Sequence, residues 1–379
     1  MENPRIVRIE WGRLEGKRPR KAGCNARLGE HGSLVRLPIA RILTEDGTSG
    51  FGYAALTRER AEVLLGNRLD DLFSQGSGAT EAGLPLEYPL WDLVAKRAGV
   101  PVYALAAAAT GATPAVPLRA PCYDTSLYFD DLHLRTDEEA AALLAGEARD
   151  GYERGHRAFK IKIGRGARHM PLEEGTRRDI AVVRAVRAAI GSDLPIMVDA
   201  NDGYHLNLAK RFLAETADCT IFWLEEAFHE DAVLYRDLRT WMEAQGLKVL
   251  IADGEGAASP GLMDWAREHV IDVVQRDIVY YGFTRWLALG QQLDEWSSRS
   301  APHHYGTCYG NYASCHLAPT IHGFTFVEWD QATIPGLEAP GYAIEEGRVT
   351  VPDASGFGLV LEDAIFRRAV ESTGFVLSC

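Results

Sequence analysis

Three short apolar runs, each ending in a carboxylate, mark the middle of the chain. They are Ile196-Met197-Val198-Asp199, Ile221-Phe222-Trp223-Leu224-Glu225 and Val249-Leu250-Ile251-Ala252-Asp253-Gly254-Glu255. Continuous apolar runs bounded by turn residues suit strands covered on both faces, as in a parallel sheet. The acids then stand at the C-terminal strand ends, which in a parallel α/β barrel form the mouth where active sites are built. Asp199 to Glu225 is 26 residues and Glu225 to Glu255 is 30, enough for one helix and two turns each.

The same alternation extends in both directions. Leu118 to Asp124 and Ala158 to Gly164 read as the first two barrel strands. Val270 to Ile278, a short segment at Ala301-Pro302-His303, and Gly323 to Glu328 read as the last three. Polar strand ends then fall at 162, 199, 225, 255, 277, 303 and 328, in steps of 37, 26, 30, 22, 26 and 25 residues, each close to one βα unit. Helices are expected between them. Thr136-Asp137-Glu138-Glu139 matches a capping box. Ile180, Val183, Val186 and Ile190 keep helical spacing up to Gly191. Leu208, Phe212 and Leu213 mark the next helix, and Leu234, Leu238, Trp241 and Met242 one ending at Gly246. Ser259-Pro260 predicts a further helix start.

Ahead of this cadence, residues 1–55 read as strands and a loop. Ile6 to Trp11 alternates, Leu34 to Leu43 is a second run, and Asp46-Gly47 is a turn signal before Gly50-Phe51-Gly52-Tyr53. Gly16 to Gly23, with Lys17, Arg18, Arg20 and Lys21 around Pro19, reads as a mobile basic loop. Residues 57–110 are Leu/Ala-rich and helical in period, with Leu90, Leu93 and Val94 on one face. Residues 336–379 carry Gly, Pro and short strand-like runs that fold back on the N-terminal unit. The pattern predicts an α/β barrel preceded by an α+β unit of about 110 residues.

Composition narrows the function. A length of 379 residues suits one barrel plus a second unit, and 46% hydrophobic with 25% charged residues is ordinary for a globular protein. A net charge of −13 argues against sequence-independent nucleic-acid binding. Met1 to Val7 has no signal-peptide stretch, and no run approaches the roughly 18 apolar residues of a membrane span. The six cysteines contain no C-x-x-C pair, which predicts reduced thiols and a cytoplasmic protein.

Converging carboxylates repel by about 4 kcal/mol per close pair at an effective dielectric near 20, which a divalent cation relieves. Oxygen ligands favour Mg²⁺ before Ca²⁺ or Mn²⁺. Glu226 and Asp253 stand beside Glu225 and Glu255 as alternative ligands. Lys160 and Lys162, two apart on a strand, point the same way. Mutual repulsion and burial would lower an ammonium pKa and make one of them a base; the plainer alternative is a solvated basic edge. Asp277 and His303, on consecutive strand ends, suit an acid/base pair in which the Asp fixes the His tautomer, although His304 competes for the role. Glu328 ends the last strand and points into the same mouth, or forms a surface ion pair. Cys308, Cys315, His316 and His322 fit no common metal spacing and read as core. Gly164-Arg165-Gly166 and Gly254-Glu255-Gly256 lack a phosphate-loop pattern and read as turns.

Together these residues resemble the enolase superfamily, and within it the mandelate racemase subgroup. The resemblance rests on Phe159-Lys160-Ile161-Lys162, Val198-Asp199-Ala200-Asn201, Trp223-Leu224-Glu225-Glu226, Asp253-Gly254-Glu255, Gln275-x-Asp277, Pro302-His303 and Glu328. Thr44 to Gly52, Leu90 to Lys96 and Gly347 to Asp353 extend it over nearly the whole chain. Two departures are Ala227, where the family often has Pro, and Tyr281-Gly282, where it has a Gly pair.

The resemblance implies a modified TIM (β/α)7β barrel over residues 116–335, an N-terminal α+β capping domain over 1–115, and a C-terminal return over 336–379. It implies Mg²⁺ held by Asp199, Glu225 and Glu255, and Lys162 as a base whose pKa Lys160 depresses. It implies an Asp277–His303 dyad on the other substrate face and Glu328 donating a hydrogen bond to the substrate carboxylate. Substrate contacts are expected at Asn201, Tyr123, Arg18 and Arg20, the arginines meeting the distal end of an anionic substrate. The expected partners are an acid-sugar carboxylate and further copies of this chain, with neither nucleic acid nor membrane.

The shared chemistry is removal of a proton α to a carboxylate. Loss of a β-hydroxyl then yields a 2-keto-3-deoxy acid, which makes the enzyme an acid-sugar dehydratase, the expected activity. Return of the proton from the opposite face makes it a racemase or epimerase. A barrel that binds a carboxylate without turnover is the non-enzymatic alternative.

Overall fold

The computed structural model describes residues 3–379. At the N-terminus, β1 (Ile6–Ala22), β2 (Gly32–Thr44) and β3 (Ser49–Tyr53) form an antiparallel sheet. Alternation along β1 and β2 buries Ile6, Ile9, Leu14, Leu37, Ile39 and Ile42 on one face. That face packs on α1 (Glu87–Ala98), whose apolar stripe includes the expected Leu90, Leu93 and Val94; α2 (Val102–Thr110) follows.

The segment expected to be a mobile loop at 16–23 is instead the end of β1. Gly16 pairs with Val35 and Lys17 with Leu34, and Lys17 also bridges to Thr333. A Cβ at Gly16 would collide with the Thr333 carbonyl oxygen, so this glycine permits close packing and confers no mobility. Pro19 is tolerated because the ladder to β2 is interrupted between Lys17 and Ala22.

The barrel strands are β4 (Leu118–Leu127), β5 (Phe159–Lys162), β6 (Ile196–Asp199), β7 (Ile221–Glu225), β8 (Leu250–Asp253), β9 (Val273–Val274), β10 (Arg299–Ser300) and β11 (Val327–Trp329). All neighbours are parallel, and β11 returns to pair with β4, closing the ring. Tyr123, Met197, Trp223, Ala252, Val273 and Ala301 pack together inside it. The outer helices α3 (Asp137–Glu153), α4 (Leu172–Ile190), α5 (Leu206–Glu215) and α6 (Ala232–Ala244) begin where expected, α3 with the Thr136–Glu139 capping box. The Ser259-Pro260 start is displaced: α7 runs Leu262–Arg267 with Gly261 at its N-cap. The strand expected over 270–278 shortens to two residues. Asp277, still extended, caps α8 (Ile278–Tyr281), accepting hydrogen bonds from the Val279 and Tyr280 amides. Two further helices are α9 (Phe283–Glu295) and α10 (Tyr309–Leu317).

The C-terminal segment divides its pairing. Strands β12 (Ala343–Glu345) and β13 (Arg348–Val351) form a hairpin whose second strand adds antiparallel to β4. Strand β14 (Phe375–Ser378) pairs with β1. Between them lies a helix absent from the sequence expectation, α11 (Asp363–Thr373), which buries Phe366, Ala369 and Val370. Among the described residues no helix is long and apolar enough to cross a membrane.

Candidate active site

Parallel register brings the expected acids together. Lys162 pairs with Asp199, and Asp199 with Glu225, across β5, β6 and β7. Glu255 follows β8 beyond Gly254, whose φ of 115° suits glycine at that turn. One carboxylate oxygen from each of Asp199, Glu225 and Glu255 lies within 4.8 Å of the others. Asp199 and Glu225 are fully buried, and Glu255 Oε2 is buried with only His303 Nε2, at 3.1 Å, close to it. Three converging carboxylates, an all-oxygen donor set, fit a hard divalent cation. The neighbouring acids separate by direction. Asp253 accepts from Tyr235 Oη on the outer side, so it faces away from the cluster. Glu226, at φ 42°, accepts from Asn201 Nδ2 at 2.8 Å. Burial, with Glu255 and Asp199 nearby, pushes Glu226 up to about 11.

Lysines share these carboxylates. Lys160 Nζ lies 2.7 Å from Glu225, 3.2 Å from Glu328 and 3.5 Å from Asp199, and Lys162 Nζ donates to Asp199. Trp223 Nε1 and Gln275 Nε2 each donate to Glu225 Oε2 at 2.9 Å. The expectation that Lys160 lowers Lys162 is reversed in the balance of forces. Burial and Lys160 push Lys162 down, but Asp199, Glu255 and Glu225 together outweigh them and raise it above the ordinary lysine value. Both lysines are buried, so neither forms a solvated edge.

The second proton-transfer group is also assembled. His303 Nδ1 lies 3.1 Å from Asp277 Oδ2, and its Nε2 lies 3.1 Å from Glu255 Oε2. Burial opposes the charge, but Glu255, Glu328 and Asp277 overcome it and raise His303 to about 10. His304 is fully buried, with its amide donating to Glu328 Oε2 at 2.7 Å and its Nε2 on the Glu328 carbonyl. Position therefore separates the two histidines: His303 faces the cluster and His304 anchors β11. Glu328 reaches the mouth, but not as the expected donor. It accepts from Thr125 Oγ1 at 2.7 Å and from the amides of His304 and Tyr305. Burial would raise its pKa, but Lys160 and His303 hold it well below the carboxylate range, so it is an acceptor only.

Three of the four expected substrate contacts are placed differently. Tyr123 is fully buried inside the barrel, edge-on to Trp223 and Phe326 and 5.4 Å from Lys160 Nζ; it supports Lys160 from below. Arg18 makes a two-point bond to Asp330, at 3.2 and 2.8 Å, with both side chains buried. Arg20 is bound to Asp130, Glu147 and Ser126. Neither arginine is free for a substrate carboxylate. Asn201 Oδ1 is buried and unpartnered beside the cluster, and Tyr123 Oη, inside the barrel, is likewise buried without a partner.

The segment of the N-terminal unit that covers the mouth is 23–31. His169 contacts the Asn25 carbonyl oxygen, Arg168 donates to that of Arg27, and Arg27 reaches Asp202 at 2.7 Å and Glu226 at 3.5 Å. His31 enters an aromatic group with Tyr128 and Tyr305, and Lys162 Nζ lies 5.2 Å from the Tyr128 ring. Arg27, His31 and Tyr305 were missed. The available signal for Arg27 and His31 was position between β1 and β2, whereas the basic cluster directed attention to residues just before it; for Tyr305 it was the place directly after His303-His304.

Comparison with known proteins agrees with this geometry. Residues 143–365 match the family model described as enolase C-terminal domain-like. A galacturonate dehydratase from Geobacillus sp., solved with D-galacturonate and 5-keto-4-deoxy-D-galacturonate, is 48% identical, covers 99% of each chain and superposes with a TM-score of 0.95. A mandelate racemase/muconate lactonizing protein from Geobacillus sp. Y412MC10, solved with magnesium and tartrate, is also 48% identical. It covers 100% of this chain and 98% of its own, with a TM-score of 0.97. The L-talarate/galactarate dehydratase of Salmonella typhimurium LT2 is 26% identical over 363 residues, 87% of this chain and 81% of that enzyme. The chain belongs to the enolase superfamily and, within it, to the mandelate racemase subgroup.

Proposed function

We propose that this Mg²⁺-dependent acid-sugar dehydratase acts on a hexuronic acid of the D-galacturonate type. The observation that carries the reading is the placement of two proton-transfer groups against one carboxylate triad, Lys162 on Asp199 and His303 beside Glu255. The substrate class is supported by the 48% identity, over 99% of both chains, to the Geobacillus enzyme solved with D-galacturonate and its 5-keto-4-deoxy product. In a hexuronic acid the carboxylate carbon is C6, so the α-proton is on C5 and the β-hydroxyl on C4. The 5-keto-4-deoxy product is thus the same α-keto, β-deoxy outcome that a 2-keto-3-deoxy acid represents when carbons are counted from the carboxylate.

In this scheme the Lys162 amine takes the C5 proton, and the C–H electrons pass into the enolate. The C4–O bond breaks, and His303 Nε2 gives its proton to the departing hydroxyl, which leaves as water. The resulting enol gains a proton at C4 and becomes the ketone. Asp277 holds Nδ1 and so directs the mobile proton to Nε2. A pKa raised to about 10 keeps His303 charged at neutral pH, as a general acid requires. Asp199, Glu225 and Glu255 would hold Mg²⁺, which would supply positive charge for the enolate; with Asp199 engaged there, Lys162 would lose the partner that keeps it protonated and be released to act as the base. Lys160, fixed by Glu225 and Glu328, adds a second cation at the same place.

The test is incubation with D-galacturonate and Mg²⁺ in D₂O, followed by NMR. A 5-keto-4-deoxy product supports the proposal. Recovery of the C5 epimer with no loss of water would instead establish the racemase reading, and inertness toward all uronic acids would overturn the substrate class.

A further inference from the structure

Two polar atoms in the mouth have no role in the proton transfers and no partner in the protein. His31 Nε2 and Tyr305 Oη are both buried, and neither makes a hydrogen bond. Leaving such groups buried and unpaired is unfavourable, so each calls for an explanation. They belong to one cluster. The His31 ring lies edge-on to Tyr128 at 4.9 Å and 5.8 Å from Tyr305, and Tyr128 stacks on Tyr305 at 4.8 Å. Lys162 Nζ lies 5.2 Å from the Tyr128 ring, which puts the pair next to the proposed base. The charged groups facing His31 are Lys162, Arg18 and Asp330, and none is a carboxylate of the metal triad. The pair therefore borders Lys162 and Glu328 rather than the triad.

The charge of this wall is already balanced. Arg18 is 4.4 Å from the Tyr305 ring but is bound in a two-point bond to Asp330. Arg27 is held by Asp202 at 2.7 Å, and Lys21 by Glu30 at 2.6 Å. His31 itself is neutral at physiological pH, because burial, together with Lys162 and Arg18, lowers it to about 4. A carboxylate brought here would lose its water and meet no free cation, whereas a hydroxyl would find an imidazole nitrogen and a phenol.

Building on the uronate reading, we propose that His31 and Tyr305 bind a hydroxyl at the end of the sugar remote from its carboxylate, and that this neutral pair selects monoacids over aldaric diacids.

The test compares D-galacturonate and galactarate as substrates for wild type, His31→Ala and Tyr305→Phe, each with Mg²⁺. If wild type converts neither sugar, the uronate reading itself fails, independently of the subsite. With wild type active on D-galacturonate, the proposal expects kcat/KM to fall about tenfold in each variant, mainly through KM. Solvent-deuterium exchange at C5 under saturation should continue, which a collapsed site would not permit. His31→Lys should narrow the preference for D-galacturonate over galactarate. Wild-type KM in Tyr305→Phe, a variant that keeps the stacked ring, or equal use of both sugars by wild type would overturn it.

Discussion

Lys162 and Asp199 occupy paired register positions on adjacent parallel strands, and their side chains meet in a buried ion pair. Asp199 favours the protonated form of Lys162 in the metal-free protein, so the proposed base and a proposed metal ligand depend on each other. Lys162→Ala should stop both C5 proton exchange and product formation, by about 10²–10⁴-fold for the loss of one proton-transfer group. His303→Asn should stop product formation while exchange continues. Proton NMR in D₂O reads both events, and equal product formation by the two variants would refute the division between faces.

The triad predicts metal dependence that can be read without turnover. EDTA should abolish activity, and Mg²⁺ at a hundredfold excess over its Kd should add about 2.7 kcal/mol to unfolding stability. Glu225→Gln should fold, as judged by circular dichroism, yet lose the Mg²⁺-dependent rise in Tm together with activity. Full activity after thorough chelation would contradict the assignment.

Arg165 tests the support behind β5. It is fully buried, bound to Asp131 at 2.6 Å and Asp179 at 2.7 Å, and its Nη1 lies 3.4 Å from the Lys162 carbonyl oxygen. Arg165→Met leaves Asp179 without a cation and Asp131 with only Arg178, at 3.6 Å, and should cost roughly 3–5 kcal/mol in urea denaturation. Adding Asp131→Asn should recover part of that loss.

Glu87 supplies a pH dependence remote from the metal. Burial raises it from 4.5 to about 7, although it accepts from the Thr284 amide at 3.0 Å. Between those values the native state binds more protons than the unfolded state, so stability falls as pH rises through the window. Above about pH 7 the cost is complete, on the order of 3 kcal/mol at most. Glu87→Gln should remove this component. Urea midpoints at pH 5 and pH 8 should differ less in the variant than in wild type, and an equal difference would sink the assignment.

Most of the barrel and its carboxylate triad were legible because they follow from local pattern. Each apolar run needs cover on both faces, and an acid at its end falls at the mouth whatever the exact tilt of the strand. The spacing of Asp277 and His303 likewise placed them on consecutive strand ends, where they meet at 3.1 Å. Tertiary structure alone decided which charges were free. Arg18 and Arg20 read as cations for a substrate until Asp330, 312 residues away from Arg18, and Asp130, 110 residues away from Arg20, were brought against them. Register sent Tyr123 beneath Lys160 and turned Asp253 toward Tyr235. The proton on Lys162 was decided by Asp199 on the neighbouring strand, and the vacancy of His31 Nε2 by how the 23–31 segment settles over the mouth. Periodicity records which face of an element avoids water. Whether a polar group on the other face is paired depends on residues distant in the chain, and only the closed fold brings those within a few ångströms.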